Sequence, residues 1–511
     1  MTDKQTMPQQ AADLVEVESF APQSSLLDSI ISQSRVARSE TERSRTRDLI
    51  GELVSQVLEG EMTPSKDLIA VLDARIAEID AMLSEQMNEI MHAREFQQLE
   101  ASWRGLKYQV DQTETSTTLK IHLLNASKKD LVRDLKAASE FDQSALFKKV
   151  YEEEYGTFGG APFGMLIGDY EFNRNPEDMY LLEEISHVAA AAHAPFISAA
   201  SPELFGWDSF TEMSGPRDLA KIFDTVEYAK WKSFRASEDS RYVGLTLPHV
   251  LGRLPYGPDT TPVEEFNFVE SVDGRDHNKY LWMNAAYALG TRVTDAFARY
   301  GWCVAIRGVE GGGLVEGLPT HTFKTDDGEI ALKCPTEIAI TDRREKELSD
   351  LGFIPLVHCK GTDYAAFFGT QSAQKQKQYN TDIANANARL SAQLQYIFAT
   401  SRIAHYMKAI MRDKIGSFAS RMDVERFLNQ WLASYVLLDD TASQEAKAKF
   451  PLREARAEVF EVPGKPGVYK AVTYLRPHYQ LDELTASLRL VAELPQAPAA
   501  DGPCERNVYR D

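Results

Sequence analysis

The sequence predicts a mixed α/β protein: a helical N-terminal region, a central mixed sheet covered by helices, and C-terminal helices followed by a β-hairpin suited to joining intersubunit sheets. Three observations carry this. Between about residues 101 and 370, short β-like runs such as LKIHLL (119–124), FGMLIGDY (163–170), YVGLTL (242–247) and WCVAIRG (302–308) alternate with helical stretches, a pattern that favours a sheet packed under helices. On either side lie long segments whose apolar residues recur at three- and four-residue steps. Near the end, REARAEVFEV and VYKAVTYLRPHYQL alternate with period two around the turn VPGKPGV.

The elements follow in order. Residues 1–23 hold two prolines and few large apolar side chains and read as a flexible tail. In SSLLDSIISQSRVARS, the residues Leu26, Leu27, Ile30 and Ile31 share one helical face, and TRDLIGELVSQVLEG forms a second helix ending at Gly60; residues 24–62 are therefore N-terminal helices. At 63–64, Thr63 suits an N-cap and Pro64 the first helical position. From there Leu68, Leu72, Ile76, Ile79, Leu83, Met87 and Ile90 make one apolar seam, which packs on a partner helix or on its own domain. The central region spans 63–370, with DMYLLEEISHVAAAAHA and LWMNAAYALGTRVTDAFARY as helices. Residues 371–495 form a C-terminal region: one long helix over NANARLSAQLQYIFATSRIAHYMKAIMRDKIG, another over DVERFLNQWLASYVLL, then the hairpin, in which Val468, Lys470, Val472 and Tyr474 oppose Tyr469, Ala471, Thr473 and Leu475. A two-stranded hairpin is marginal alone, and its edges offer unpaired N–H and C=O groups to another chain. Residues 496–511 are a second flexible tail.

Composition narrows the function. Its 56 Lys and Arg against 76 Asp and Glu give a net charge of −20, which repels phosphate backbones and excludes general nucleic-acid binding. The four cysteines are far apart with no CxxC pair, against a zinc site or disulfide scaffold and in favour of a reducing compartment. The absence of a leader-like run or a membrane-length apolar stretch suggests a cytoplasmic protein without direct membrane insertion.

Chemistry is scarce. RGVEGGGLVEGLP (307–319) is glycine-rich and follows an apolar run, as a phosphate cradle would. It fits neither GxxxxGK[ST] nor GxGxxG, and Glu310 and Glu316 oppose phosphate; a tight turn is the plainer reading. TDDGE (325–329) reads as a turn, and His193 and His405 lie in apolar helical patterns as core histidines. No catalytic, cofactor or metal site is nominated, and the expected role is assembly, with no enzyme activity.

Specific motifs then carry a resemblance. SWRGL (102–106), LIGDYEF (166–172), FISAASPELFGWDSFTEM (196–213), RYVGLTLPHVLGRLPYG (241–257), IRGVEGGGLVEGLPTHTF (306–323), ITDRREKELSDLGFIPLVHCKGTDYAAFFGTQS (340–372), YMKAIMRDKIGSF (406–418) and PGKPGVYKAVTYLRPHYQLDELTASLRLVAELP (463–495) together resemble the large subunit of the type VI secretion contractile sheath, the TssC/VipB family. The likeness runs from about residue 25 to 495. It implies a structural subunit that pairs with a small sheath subunit of the TssB/VipA type and polymerises with copies of itself. The polymer would surround an inner tube of Hcp type, attach to baseplate components, contract to propel the tube, and be disassembled by a AAA+ ATPase of ClpV type. The setting implied is the cytoplasm of a Gram-negative bacterium, with the sheath anchored to the inner membrane through baseplate and membrane complex. On this resemblance Leu26, Leu27, Ile30 and Ile31 are the ATPase-recognition face, although packing on the chain's own domain is the alternative. Leu68, Leu72, Ile76, Ile79 and Leu83 form the small-subunit seam, and Val459, Val468, Val472 and Tyr474 belong to intersubunit strands. Arg412 and Lys414 mark an inner-tube contact or a solvated helix end. The other readings are a sheath protein of another phage-tail-like device, or a cytosolic nucleotide-binding enzyme using loop 307–319.

Overall fold

The computed structural model describes residues 40–58, 68–264, 266–325, 327–417, 420–464 and 468–480. The expected cap at Thr63–Pro64 and both tails lie outside them. The chain divides into two compact units, Met1–Met91 with Pro255–Ser271, and His92–Leu254 with Val272–Asp511.

In the first unit, α1 (Glu40–Leu58) and α2 (Leu68–Met91) are the described helices. The segment 255–271 is tied to α2 by polar side chains. Asn88 donates to the Val269 carbonyl at 3.2 Å and accepts from the Ser271 amide at 2.9 Å, and Asn267 reaches Asp80 at 3.3 Å.

The second unit is built on a six-stranded sheet of order β1–β2–β3–β9–β10–β6. Its strands are β1 (Leu166–Phe172), β2 (Phe196–Ala200), β3 (Val243–Leu247), β6 (Leu314–Val315), β9 (Ile354–His358) and β10 (Ala365–Phe367). The first four in spatial order run parallel; β10 and then β6 pair antiparallel. β2 and β3 are buried along their whole length, as expected for parallel strands covered on both faces. Small antiparallel pairs lie outside the sheet: β4 (Val250–Leu251) with β5 (Trp282–Met283), and β7 (Thr322–Lys324) with β8 (Ile330–Leu332), the latter closed by the expected turn at 325–329.

The helices around the sheet begin and end for local reasons. α3 (Arg94–Asp111) is followed by α4 (Lys128–Ala137), which opens with a capping box between Ser127 and Asp130. α5 (Pro176–Ala192) starts with proline in its first turn and stops where His193 turns left-handed at φ 52°. After α6 (Ala229–Ala236), α7 (Ala285–Tyr300) is capped by Asn284 and ended by Gly301 at φ 76°, a conformation glycine adopts without strain. α3 and α7 cross closely: a Cβ on Gly105 would come within 2.3 Å of the Tyr287 ring, and one on Gly290 within 2.5 Å of Gln109. Gln109, Thr113 and Thr294 lock the crossing through hydrogen bonds of 3.0 Å.

The C-terminal part contains α8 (Asp342–Asp350), α9 (Asp382–Ser391), α10 (Leu394–Asp413), α11 (Arg421–Ala433), α12 (Gln444–Lys449), and the hairpin β11 (Leu452–Glu461) and β12 (Tyr469–Pro477). A second core joins Trp302, Ile403, Met407, Leu428, Leu432, Leu452, Ala457 and Val459.

Three expectations are corrected. The single long helix through 385–416 is two helices. Its break at Ala392–Gln393 is held open by the strand-like segment 370–372: Ser372 donates to Ala392 O at 2.8 Å and Leu394 to Thr370 O at 2.9 Å. The run WCVAIRG forms no strand. Trp302 and Val304 enter the second core while Ile306 enters the main one, so its alternation reflects two cores rather than two sheet faces. LKIHLL (119–124) is drawn out between α3 and α4 but belongs to no sheet.

Candidate assembly surfaces

The carboxyl ends of parallel strands are where open α/β sheets usually take ligands. Here that position is filled. Glu171 at the end of β1 meets His249 Nε2 at 2.8 Å, while His249 Nδ1 meets Glu337. Glu337 also reaches His277 Nε2 at 3.1 Å and accepts from the Ser209 hydroxyl at 2.8 Å and the Phe210 amide at 3.2 Å. Burial alone would lower the His249 pKa, but the Glu171 and Glu337 carboxylates raise it to about 10. Burial would raise that of Glu337, yet its hydrogen bonds to His249 and His277 hold it well below the ordinary carboxylate value. These groups bond one another, with His277 Nδ1 left as a buried nitrogen without a partner among the described residues, and beside them Phe205, Phe210, Phe223 and Phe353 pack as a buried aromatic cluster. Among the described residues no group of His, Cys, Asp and Glu is arranged to hold a metal ion.

The glycine loop is a turn clamped to β10. Gly308 donates to Phe367 O at 2.7 Å, Gly313 to Gly308 O at 2.8 Å, and Phe367 back to Gly313 O at 3.0 Å. A Cβ on Gly313 would meet Phe367 O at 2.6 Å, so its glycine serves close backbone approach. A phosphate cradle would need such amides free. His405 is a buried core residue whose Nε2 lies 2.8 Å from the Ala192 carbonyl, and burial lowers its pKa to about 4.

The surfaces left open are apolar or backbone-rich. On α2, the sequence-derived seam faces out: Leu72, Ile76, Ile79 and Leu83 are 37–54% exposed, with Met87 and Ile90 continuing the stripe; Leu68 opens the helix. In the hairpin, Val459 is fully buried, Val472 half-buried, and Val468 and Tyr474 exposed. Val459 therefore contributes its side chain to the chain's own core.

The two edges of the hairpin differ, which the sequence did not reveal. Asn429 of α11 both donates to the Ala457 carbonyl and accepts from its amide, at 2.8 and 2.9 Å. Glu425 takes the Val459 amide at 3.1 Å, and Arg421 donates to its carbonyl at 2.9 Å. These side chains cover the outer edge of β11. Residues opposite in an antiparallel pair alternate between exchanging both bonds and pointing both pairs of groups outward. Ala457 and Val459 point outward, so their partners Thr473 and Ala471 do too, on the far edge of β12. No described residue bonds those main-chain groups. The open edge is thus that of β12.

Arg412 and Lys414 are both engaged within the chain. The Arg412 guanidinium donates to the carbonyls of Thr157 and Tyr155 at 2.8 and 3.1 Å, and the Lys414 ammonium lies 4.4 Å from the Phe427 ring centre. The residues Leu26, Leu27, Ile30 and Ile31 lie outside those described. Sequence reading missed a second apolar stripe, Phe96, Leu99, Trp103 and Val110 on α3, all exposed. Its signal was present as helical spacing within EFQQLEASWRGLKYQV.

Comparisons with known proteins agree with a polymer subunit. Two VipB-family models match: EvpB/VC_A0108, tail sheath N-terminal domain, over residues 73–374, and EvpB/VC_A0108, tail sheath gpW/gp25-like domain, over 383–494. The chain is 52% identical over 491 residues to the type VI secretion system sheath protein TssC1 of Pseudomonas aeruginosa strain PAO1, covering 96% of this chain and 99% of that protein. Among solved structures, the anti-feeding prophage baseplate aligns at 8% identity and TM-score 0.33, over 61% of this chain and 66% of that one. The sheath complex of an extracellular contractile injection system (PVC, contracted state) aligns at 7% identity and TM-score 0.32, over 60% and 68%. The two family models and the 52% identical relative define a contractile tail-sheath protein. The chain belongs to the VipB family of type VI secretion sheath proteins and is a contractile-sheath subunit. No helix among the described residues is long and apolar enough to cross a membrane.

Proposed function

We propose that this chain pairs with a smaller sheath subunit in the bacterial cytoplasm, and that the heterodimers stack around an inner tube and contract to drive it outward. The observation that carries the pairing is the stripe on α2. Burying one Leu or Ile side chain is worth about 1.5–3 kcal/mol, so Leu72, Ile76, Ile79, Leu83, Met87 and Ile90 in water are a large unspent contribution, the mark of a helix awaiting a partner helix. Stacking uses the free edge of β12, where main-chain bonds to a neighbour persist while protomers rotate. Contraction needs no nucleotide: a small free-energy difference per subunit, summed over identical interfaces, is enough.

Recycling falls to Leu26, Leu27, Ile30 and Ile31, an apolar face on a polar tether that suits the groove of a AAA+ ATPase. Arg412 and Lys414 lie at the end of α10, which is the part of the chain assigned to the inner tube. Attachment to the baseplate completes the set of contacts.

Two variants test separate parts of this reading in one assay. Ile76→Asp with Leu83→Asp abolishes co-purification with the small subunit, and leaves the chain's own unfolding curve unchanged because both side chains are exposed. Leu27→Glu with Ile31→Glu leaves cylinders intact but stops their ATP-dependent disassembly. Retained pairing in the first variant removes α2 from the interface, and failed assembly in the second makes that helix structural.

A further inference from the structure

Cys334 and His358 are 24 residues apart in sequence and in contact in the fold, with Cys334 Sγ 3.2 Å from His358 Nδ1. His358 ends β9, and the turn after it holds the ring. Nε2 donates to the Thr362 carbonyl at 2.8 Å. That carbonyl is brought round by a tight turn in which the Thr362 amide donates to the Cys359 carbonyl at 3.2 Å. Gly361 sits there at φ 81°, the left-handed conformation that the third residue of a type II turn requires. A carbonyl only accepts, so Nε2 keeps its proton and Nδ1 is the nitrogen left to exchange one with the thiol. The Thr336 hydroxyl, 3.2 Å from the same sulfur, can turn from the Ile338 carbonyl, 3.0 Å away, to donate to a thiolate. A nucleophile, a base and a group that orients the base are the parts by which proteins activate a thiol.

The surrounding charges agree with this arrangement. Burial alone would raise the Cys334 pKa, but the hydrogen bonds from His358 and Thr336 bring it below the ordinary thiol value. Burial would likewise lower the pKa of His358, yet its bond to Cys334 carries it above the ordinary imidazole value. Lys333, the adjacent residue, holds its ammonium 4.8 Å from the Tyr280 ring centre and adds a positive charge that favours a thiolate. Asp273, Asp276 and Glu337 act on that ammonium, and the Cys359 thiol acts on His358. Cys359 supplies a comparison within the same chain. It is exposed where Cys334 is half-buried, and its Sγ meets the Tyr364 hydroxyl at 3.6 Å.

We propose that Cys334 is a site of reversible oxidation by hydrogen peroxide, with His358 as the base that forms its thiolate. The thiol proton passes to His358 Nδ1. The sulfur then attacks one peroxide oxygen: an S–O bond forms, the O–O bond breaks, and the departing hydroxide takes the imidazolium proton and leaves as water. Sulfur loses two electrons and becomes a sulfenic acid, and the peroxide is reduced. A small-molecule thiol then displaces water to form a mixed disulfide, and a second such thiol restores Cys334 as the two are joined in a disulfide. None of this rests on the pairing proposed above.

The full chain is treated with hydrogen peroxide at pH 6.5 in the presence of dimedone, which traps sulfenic acids, and the adducts at Cys334 and Cys359 are followed by peptide mass spectrometry. Cys334 is labelled about tenfold faster than the more exposed Cys359, and the two rates converge when the chain is unfolded in guanidinium. Labelling that follows exposure, with Cys359 first, overturns the proposal, and so does equally slow labelling of both. His358→Asn lowers the Cys334 rate about tenfold at pH 6.5 and much less at pH 9, where a thiolate forms without help from an imidazolium. A His358→Asn chain that keeps the native rate at both pH values contradicts the role of His358. The comparison with Cys359 is made on the native chain, so it decides even where His358→Asn does not fold.

Discussion

Proline at Ala471, or at Thr473, eliminates sheath cylinders while leaving the pair of subunits intact. The expectation follows from the asymmetry of the hairpin. The amides of these two residues point away from β11 and bond nothing described, so proline removes no main-chain bond from the fold; at 473 it also removes the Thr473 hydroxyl's contact with the Met407 sulfur at 3.1 Å, which makes 471 the cleaner variant. What is removed is a donor that a neighbour's strand would use, and proline also blocks close approach along that edge. Val472→Pro is the informative contrast. Val472 opposes Glu458 in the bonded register, so its proline opens the hairpin and loosens the core around Leu428, Leu432 and Val459. Electron microscopy of the assembled sheath separates the cases: pairs without cylinders for positions 471 and 473, and loss of soluble chain for 472. Cylinders of normal length from either edge variant would show that β12 is not a junction between protomers.

The second large effect concerns Glu337. Changing it to glutamine leaves His249 and His277 facing an uncharged amide in a site where the original carboxylate is almost wholly buried, its side chain 3% exposed. Breaking a buried ion pair by removing one partner costs about 3–5 kcal/mol, far above the ±0.5 kcal/mol of a typical surface change. The pH dependence follows from the two shifts. The folded-state pKa of His249 is raised from 6.5 to about 10, so its contribution is complete below 6.5 and is lost as pH rises through about 10. The Glu337 pKa is lowered from 4.5, so its contribution is present above that value and is lost as pH falls toward the folded-state value. The stability gap between native chain and Glu337→Gln is therefore widest between pH 4.5 and 6.5 and narrows on both sides. Denaturant unfolding of the two proteins at pH 5.5 and at pH 10 checks this; a gap that grows toward alkaline pH contradicts the assignment.

Much of the fold was legible because the relevant physics is local. Period-two alternation marked both hairpin strands, and the side that packs inward, Tyr469, Ala471 and Leu475, is the one the alternation separates from Lys470 and Tyr474. Helices α5, α7 and α11 followed from apolar spacing, while the capping box of Ser420 with Asp423 that opens α11 was passed over. The misread elements depend on distant residues. Nothing within LSAQLQY says that the 370–372 segment will hold the helix open at Ala392–Gln393, and nothing within WCVAIRG says that it spans two cores. The same holds for the surfaces. The α2 seam was readable because one helix carries it, and the α3 stripe was equally readable but was passed over. The covered edge of β11 was not, since Arg421, Glu425 and Asn429 reach it from another element. The network of Glu171, His249, His277 and Glu337 is drawn from four separated positions, and only the fold assembles it.

We propose that this chain is one half of a two-chain polymer. Its most direct test is expression of the full chain with and without the small sheath subunit, followed by negative-stain electron microscopy of the lysates. Long hollow cylinders are expected only when both chains are present. A monodisperse chain that neither binds the small subunit nor forms cylinders with it would rule out the two-chain polymer.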